Sequence, residues 1–267
     1  MAASKTDFTL VLGVDKSHVQ KLRLVLPTWL KHKPSLFERP LLVFYDRDMQ
    51  LRDVDRVFSE YDIAPEYQVW PPEPVEYFGH ENSKWFNPQR IKMLSGFVHV
   101  PAYRVTTGYW MKLDLDVVAT GRDDWIDPDW FNGDSVIISH PWSYTKPPNQ
   151  MEQLDLWVYK NQDKLGVLAK AFPLNLSPTP GANSLSHKRI ISWCSFYNTN
   201  FTWLCSSFAK DTEGECKLPV PSQDGFVWYV AKRLGFGINR TNMKSLGWSH
   251  QSSVKNIKAE AEKAMNG

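Results

Sequence analysis

In the stretch GYWMKLDLDVVAT, residues 108 to 120, two aspartates, Asp114 and Asp116, come after an apolar run. Its apolar and β-branched residues predict a buried strand that carries these acids. Residues i and i+2 of a strand project to the same side, so the pattern places both carboxylates together. Like charges repel each other there unless a cation or a proton intervenes. Because carboxylate and diphosphate oxygens suit a hard divalent cation, the pair predicts a Mg²⁺ or Mn²⁺ site.

Asp-x-Asp also occurs as a pair of solvated turn residues, which is the alternative interpretation of this motif. The apolar residues on both sides favour burial, and a buried acid without a partner is costly. Lys112 lies two residues before Asp114 and shares its side of the predicted strand. This lysine can pair with Asp114, which weakens the metal interpretation, or contact a phosphate group.

Strand-like and helix-like runs alternate on the amino-terminal side of this motif. Short apolar runs predict strands at 8–15, 39–46 and 66–70. Amphipathic runs predict helices at 16–34, 51–61 and 87–100, with Pro27 kinking or ending the first and the cluster KHK at 31–33 as its solvated end. Such alternation predicts an α/β, Rossmann-like fold with a mostly parallel central sheet flanked by helices.

Acidic residues stand where these predicted strands end. Asp15 follows the first strand and Asp46 ends the second, while the Asp-x-Asp pair belongs to a later one. Ligands of open α/β sheets bind at the carboxyl ends of the strands. Either Asp15 or Asp46 can therefore accept hydrogen bonds from a nucleotide base or ribose there, and ordinary loop capping is the alternative for both.

The pattern is less regular after residue 120. Residues 135–142 predict a strand, residues 191–204 are aromatic and β-prone, and residues 222–235 predict a helix with Ser222 as a possible cap. A loop rich in Pro, Gly and Ser fills residues 177–189. We therefore expect one domain over 1–267, with a nucleotide-sugar-binding half at 1–120 and an irregular, aromatic-rich, acceptor-binding half at 121–267.

The composition narrows the classes of function. With 42% hydrophobic residues and a formal charge of +2, the chain predicts a globular protein without the basic stripe of a nucleic-acid binder. It has no apolar run of membrane-spanning length and no signal peptide pattern, so we expect a cytoplasmic protein, with peripheral membrane contact left open. The three cysteines predict free thiols, and a Cys205–Cys216 link is the alternative.

Four short motifs, taken in order with the α/β pattern, carry a family resemblance. They are LDLDVV at 113–118, the loop TPGANS around Gly181, PSQDGF with Asp224 at a helix start, and LGWSHQS with His250. The chain thereby resembles the nucleotide-sugar-dependent glycosyltransferases of the GT-A fold. In that family the Asp-x-Asp motif holds a metal ion on the donor diphosphate.

The resemblance implies a role for each matching residue. Asp114 and Asp116 would hold the metal and the donor diphosphate, and His250 would complete the metal site. Asp224 would meet the acceptor hydroxyl, as a base in an inverting enzyme or as an orienting group in a retaining one. A surface histidine and a helix-capping acid are the alternatives for His250 and Asp224.

Donor binding involves further residues by the same resemblance. Val14 and Asp15 match the nucleotide-contacting positions after the first strand. Arg90 and Lys92, on the helix before the motif, match a basic position that touches donor ribose or phosphate. Residues two apart on a helix do not share a face, so we expect only Arg90 to point inward.

The sequence therefore predicts a metal-dependent transfer of a sugar from a nucleoside diphosphate, UDP in particular, to a carbohydrate or glycoconjugate hydroxyl. A sugar nucleotidyltransferase and a carbohydrate-binding protein on the same fold are the alternatives. Tryptophans in segments with Ser, Asn or Gly are also candidates for stacking on the acceptor sugar, and core packing or partner contact is the alternative for them. The candidate tryptophans are Trp85, Trp142, Trp193, Trp203 and Trp248.

Overall fold

The computed structural model of the chain describes residues 7–73, 88–121, 125–131, 133–143, 188–212 and 223–267. The strands are β1 (Phe8–Val14), β2 (Leu41–Asp46), β3 (Glu66–Trp70), β4 (Tyr109–Leu113), β5 (Val117–Ala119), β6 (Ser135–Ser143), β7 (Lys188–Asn198), β8 (Gly237–Arg240) and β9 (Trp248–His250). The helices are α1 (His18–His32), α2 (Leu51–Ser59), α3 (Pro88–Arg104), α4 (Thr199–Thr212), α5 (Gln223–Arg233) and α6 (Val254–Asn266).

A central sheet of seven strands organises the structure, in the order β3-β2-β1-β4-β7-β6-β8. Its first four strands are parallel neighbours, β7 runs antiparallel to both β4 and β6, and β8 is parallel to β6. The mostly parallel sheet predicted from the sequence is confirmed. Strands from before and after residue 120 meet in this sheet where β4 pairs with β7.

Each face of the sheet is covered by helices, which explains why its central strands are apolar on both sides. Leu10 and Leu12 of β1 pack in one cluster with α1, α2 and α6. Val11, between them, packs in a second cluster with α3, α4 and α5. The period-2 alternation of a strand thus distributes one apolar run between two cores.

Helix α1 continues through Pro27, so the predicted end of the helix at this residue is wrong. The hydroxyl of Thr28 donates to the Val25 carbonyl at 2.7 Å, and thus gives this turn of the helix a side-chain hydrogen bond. The predicted solvated end is also wrong. Lys33 is fully buried and donates to the carbonyl oxygens of Gly121, at 2.5 Å, and Leu246, at 2.8 Å.

A second, two-stranded sheet pairs β5 with β9 and lies against α1 and α6. The indole N–H of Trp29 in α1 donates to the Val117 carbonyl at 2.7 Å, which fixes this sheet to the helix. Because β5 follows β4 after a turn and β9 lies near the carboxyl end of the chain, this pairing brings two distant segments together at the edge of the main sheet.

Candidate functional site

The two aspartates of the motif lie in a turn that follows β4. The Asp114 N–H donates to the Trp193 carbonyl of β7 at 2.9 Å, and the Val117 N–H donates to the Asp114 carbonyl at 3.1 Å. The second bond closes a turn, so the sequence-based prediction of one continuous strand through both acids is wrong. The chain leaves the main sheet here and enters the two-stranded sheet through β5.

Strand β9 places His250 beside Asp116. Val117 pairs with His250 across the small sheet, and the Gln251 N–H donates to the Asp116 carbonyl at 2.8 Å. Nε2 of His250 lies 3.4 Å from Oδ1 of Asp116. This oxygen is buried and accepts no hydrogen bond from any residue that the structure describes. An imidazole nitrogen at this distance from a buried carboxylate oxygen forms an ion pair when protonated, and the same two groups can also be ligands of one metal ion.

The imidazole of His250 is oriented by Trp193. The two rings stack with centroids 5.7 Å apart and planes inclined by 18°. The indole of Trp193 also contacts the His140 ring, at 5.3 Å between centroids. Trp193 is only 3% exposed, so it supports His250 and is not available to a sugar. Trp248 is likewise buried, whereas Trp203 is half exposed.

Lys112 pairs with Asp114. Its ammonium lies 2.6 Å from Oδ1 of Asp114 and 4.8 Å from the centre of the Phe97 ring. The lysine is 1% exposed, so this contact holds its charge in one place. The pairing anticipated from their spacing is confirmed, and Asp114 shares its charge with Lys112 as well as with any cation in the site.

The acids of the site influence one another. The pKa of Asp114 is raised, because burial and the negative charges of Asp116 and Asp224 outweigh the attraction to Lys112. Burial also opposes ionisation of Asp116, but His250, Lys21 and Lys112 outweigh it and lower the pKa of that carboxyl. Asp224 lies in the first turn of α5, at the helix start that the sequence predicts. These opposite shifts indicate a shared electrostatic site rather than isolated surface acids.

Lys21 of α1 also reaches this site, and the sequence interpretation did not include it. Its Nζ lies 3.6 Å from Oδ2 of Asp116. The signal for it was present, because α1 begins directly after β1 and its first turns must lie at the same edge of the sheet. A basic residue one turn into that helix is therefore a candidate contact for any ligand bound at the strand ends.

Val14 is the buried last residue of β1, and Asp15 follows it. Oδ1 of Asp15 accepts the Ser17 N–H at 2.8 Å and the Ser17 hydroxyl at 2.6 Å. Burial opposes the charge of Asp15, but hydrogen bonds from His18 and Ser17 and the charge of His18 prevail and hold its pKa far below the usual value. This oxygen shapes the loop before α1, as the capping interpretation describes.

Asp46 is enclosed by its own partners at the end of β2. Oδ1 of Asp46 accepts from the Lys92 ammonium at 2.6 Å and from the Asp48 N–H at 3.1 Å, and Oδ2 accepts from the Gln89 amide. Burial opposes ionisation, yet these donors keep the pKa of Asp46 below its ordinary value. Its carboxylate thus anchors α3 to the sheet.

Arg90 belongs to the first turn of α3, and its side chain lies outside the described residues. Lys92 contacts Asp46 at the end of β2, so the expectation that only Arg90 points inward is wrong. The loop around Gly181 and the possible cap Ser222 also fall outside the described ranges, as do the side chains of Trp85 and Trp142. Cys194 and Cys205 are buried free thiols, in agreement with the predicted free cysteines.

The side chains of the site can be compared with the ligands that the predicted divalent ion requires. Within the described ranges, no three His, Cys, Asp or Glu side chains converge on a ready-made metal site. Asp116 and His250 supply one carboxylate and one imidazole, and Oδ1 of Asp116 accepts no hydrogen bond from the described part of the chain. Mg²⁺ and related ions are commonly held by one or two carboxylates together with substrate phosphates rather than by a complete protein cage. The residues therefore fit a divalent ion that is shared with a phosphorylated ligand.

Solved structures of glycosyltransferases share this fold. Core-mannan synthase A from Aspergillus fumigatus, in a Mn/GDP form, matches with a TM-score of 0.52 and 15% identity, over 84% of this chain and 66% of that one. The mannosyltransferase Ktr4p from S. cerevisiae matches with a TM-score of 0.52 and 11% identity, over 85% of this chain and 63% of that one. The galactosyltransferase LgtC, in complex with donor and acceptor sugar analogues, matches with a TM-score of 0.55 and 11% identity, over 97% of this chain and 94% of that one.

These similarities establish the class of fold. The chain has the GT-A-type α/β fold, as its strand pattern and motifs predict. It spans about two thirds of the length of the first two of these structures. No protein-family profile matches the chain, and no curated protein sequence matches it. Among the described residues, none of the helices combines the length and apolarity that crossing a membrane requires.

Proposed function

We propose that this chain is a metal-dependent glycosyltransferase that moves a sugar from a nucleoside diphosphate, UDP in particular, to a hydroxyl of a carbohydrate or glycoconjugate. The observation that carries the proposal is the cluster at the end of β4. There, Asp116 presents a buried oxygen that accepts no hydrogen bond from the described residues, beside the imidazole of His250. The GT-A-type fold supports this assignment, because ligands of such sheets bind at this edge.

Asp116 and His250 are the residues that would hold a Mn²⁺ or Mg²⁺ ion. When bound, such an ion would stabilise the leaving nucleoside diphosphate as a Lewis acid, without a proton transfer. Asp114 stands beside them and is held by Lys112, so its position is fixed before any ligand arrives. A fixed geometry of this kind lowers the cost of binding and of the reaction.

Asp224 is the residue we assign to the acceptor side. Its negative charge contributes to the raised pKa of Asp114, which supports assigning it to the same site. In an inverting reaction it takes the proton of the attacking hydroxyl, and in a retaining reaction it orients that hydroxyl. Val14 and Asp15 lie at the end of β1 and Arg90 lies in the helix before β4, and we assign all three to donor binding.

The proposal is tested by a thermal-shift panel of nucleoside diphosphates, their sugars and nucleoside triphosphates, each with and without Mn²⁺. A ligand that binds only the folded protein raises the melting temperature. We expect one nucleoside diphosphate to raise it only when Mn²⁺ is present, and Asp116→Ala to lose this metal-dependent shift.

A panel in which no nucleotide or nucleotide sugar changes the melting temperature would overturn the proposal. Binding of glycans without any nucleotide would then favour the carbohydrate-binding protein. A shift given by a nucleoside triphosphate and by none of the diphosphates would favour the nucleotidyltransferase.

A further inference from the structure

Two lysines contact the acids of the candidate site, and the structure holds them in different ways. Lys112 lies 2.6 Å from Asp114, is almost fully buried and packs on the Phe97 ring. Lys21 lies 3.6 Å from Asp116, and its side chain is 22% exposed. The second distance exceeds that of a hydrogen bond, so Lys21 and Asp116 interact only as an ion pair. Of the two lysines, Lys21 therefore makes the looser contact.

Asp116 uses its two oxygens differently. Oδ2 faces the ammonium of Lys21, while Oδ1 lies 3.4 Å from His250 and accepts no hydrogen bond from the described residues. A divalent ion bound by Asp116 and His250 would lie next to the Lys21 ammonium. A doubly charged ion on this carboxylate would repel the ammonium beside it. The ion and Lys21 therefore compete for Asp116.

A lysine displaced from Asp116 remains at the edge of the sheet. It is attached to α1, which begins directly after β1, and its flexible four-carbon chain allows the ammonium to reach another partner. The negative groups that arrive with the metal ion are the phosphates of the donor. Lysine binds phosphate well as a compact point charge.

We propose that Lys21 exchanges partners: it is the counter-ion of Asp116 in the metal-free protein and a ligand of the nucleoside diphosphate when the site is loaded. This inference rests on the proposed function. It assigns a donor-binding role to a residue of α1, which lies outside the four motifs that carry the family resemblance. It also predicts that removing the lysine has opposite effects on the two ligands.

The test uses calorimetric titrations of the full chain, first with MnCl₂ alone and then with UDP or GDP at saturating Mn²⁺. Lys21→Met should bind Mn²⁺ alone about threefold more tightly, because the competing charge is gone. The same variant should bind the nucleoside diphosphate roughly tenfold more weakly, because a charged contact to phosphate is lost. Lys21→Arg keeps the charge and should restore nucleotide binding most of the way.

Lys16→Met is the matched control, since Lys16 is exposed in the turn before α1 and its loss changes the net charge equally. Identical behaviour of Lys21→Met and Lys16→Met in both titrations would overturn the inference and leave the proposed function standing. A Lys21→Met variant that binds both ligands more weakly would also overturn it. A wild-type protein that binds neither Mn²⁺ nor either nucleotide would instead remove the proposed function, and the inference with it.

Discussion

The sheet places one acid at the end of β2 and another just beyond β4, and their surroundings differ. Asp46 receives hydrogen bonds on both carboxylate oxygens, from Lys92, Gln89 and the Asp48 N–H. Asp116 has one oxygen near Lys21 and another that is buried beside His250 without a hydrogen bond from the described residues. The carboxylate of Asp46 is hydrogen-bonded on both oxygens, whereas Asp116 has two longer ion-pair contacts, to Lys21 and His250.

This difference shows that an acid at a strand end does not by itself mark a binding site. The position brings the residue to the ligand-binding edge, but the partners supplied by neighbouring elements decide its role. At β2 the helix α3 supplies a lysine and an amide, which bond to both oxygens of the acid. At β4 the small sheet supplies a histidine at a distance that leaves room for an ion.

The largest effect that separates the two strand ends is expected at Asp224, the third acid near β4. Asp224→Asn should lower the metal-stimulated transfer of the donor sugar to an acceptor hydroxyl by roughly 10²- to 10⁴-fold, because the residue acts on that hydroxyl. Donor affinity should change little, since the amide keeps the size of the side chain. Steady-state kinetics together with calorimetric titration of the donor would measure both quantities.

Asp53 provides the matched control, because it is an acid in the first turn of α2, as Asp224 is in α5. If Asp224 only stabilised its helix through the helix dipole, Asp53→Asn and Asp224→Asn would have the same small effect on the reaction rate. Equal rates for the two variants would remove Asp224 from the mechanism.

The next effect concerns stability, and here the larger loss is expected at the end of β2. Asp46→Asn should lower the free energy of unfolding by about 3 kcal/mol, because it removes one member of a buried ion pair. Asp116→Asn should cost less than about 1 kcal/mol in the metal-free protein, since its ion pairs are partly exposed. Urea unfolding of both variants measures this difference. Equal losses in the free energy of unfolding would contradict the distinction between the fully hydrogen-bonded Asp46 and the partly bonded Asp116.

The pH dependence of this cost sharpens the result. Since the pKa of Asp46 is lower in the folded protein than its ordinary value of 3.8, its ionised form stabilises the fold. That contribution is complete well above pH 3.8 and is lost as the pH falls through the folded-state pKa. The difference between wild type and Asp46→Asn should therefore be constant near neutral pH and shrink in acid. Asp48→Asn is the control, because Asp48 reaches the same lysine from an exposed position.

Much of this arrangement was accessible from the sequence. Periodic apolar runs determined the order of the first strands and helices, and the acids at strand ends pointed to the edge of the sheet where the candidate site lies. The helix start at Asp224 followed from the local pattern. The tertiary environment of each acid could not be obtained in this way. Whether Lys92 encloses Asp46 or Lys21 reaches Asp116 depends on how α3 and α1 pack.

Two departures from the predictions have identifiable physical causes. The strand ends at Leu113 because the next residues close a turn, which apolar periodicity does not reveal. Trp193 was predicted as a possible sugar contact because aromatic composition alone does not distinguish exposed rings from buried ones. Its burial between His140 and His250 arises because β7 pairs with β4 and β6, and because β9 places His250 against its ring.

The central claim is that Asp116 binds a metal ion and that Asp46 does not. Titration of the full chain with Mn²⁺, followed by the paramagnetic resonance signal of the free ion, tests it directly in wild type, Asp116→Asn and Asp46→Asn. We predict one bound ion in wild type and in Asp46→Asn, and roughly 100-fold weaker binding in Asp116→Asn. Wild-type affinity in Asp116→Asn, or an equal loss in both variants, would contradict the account.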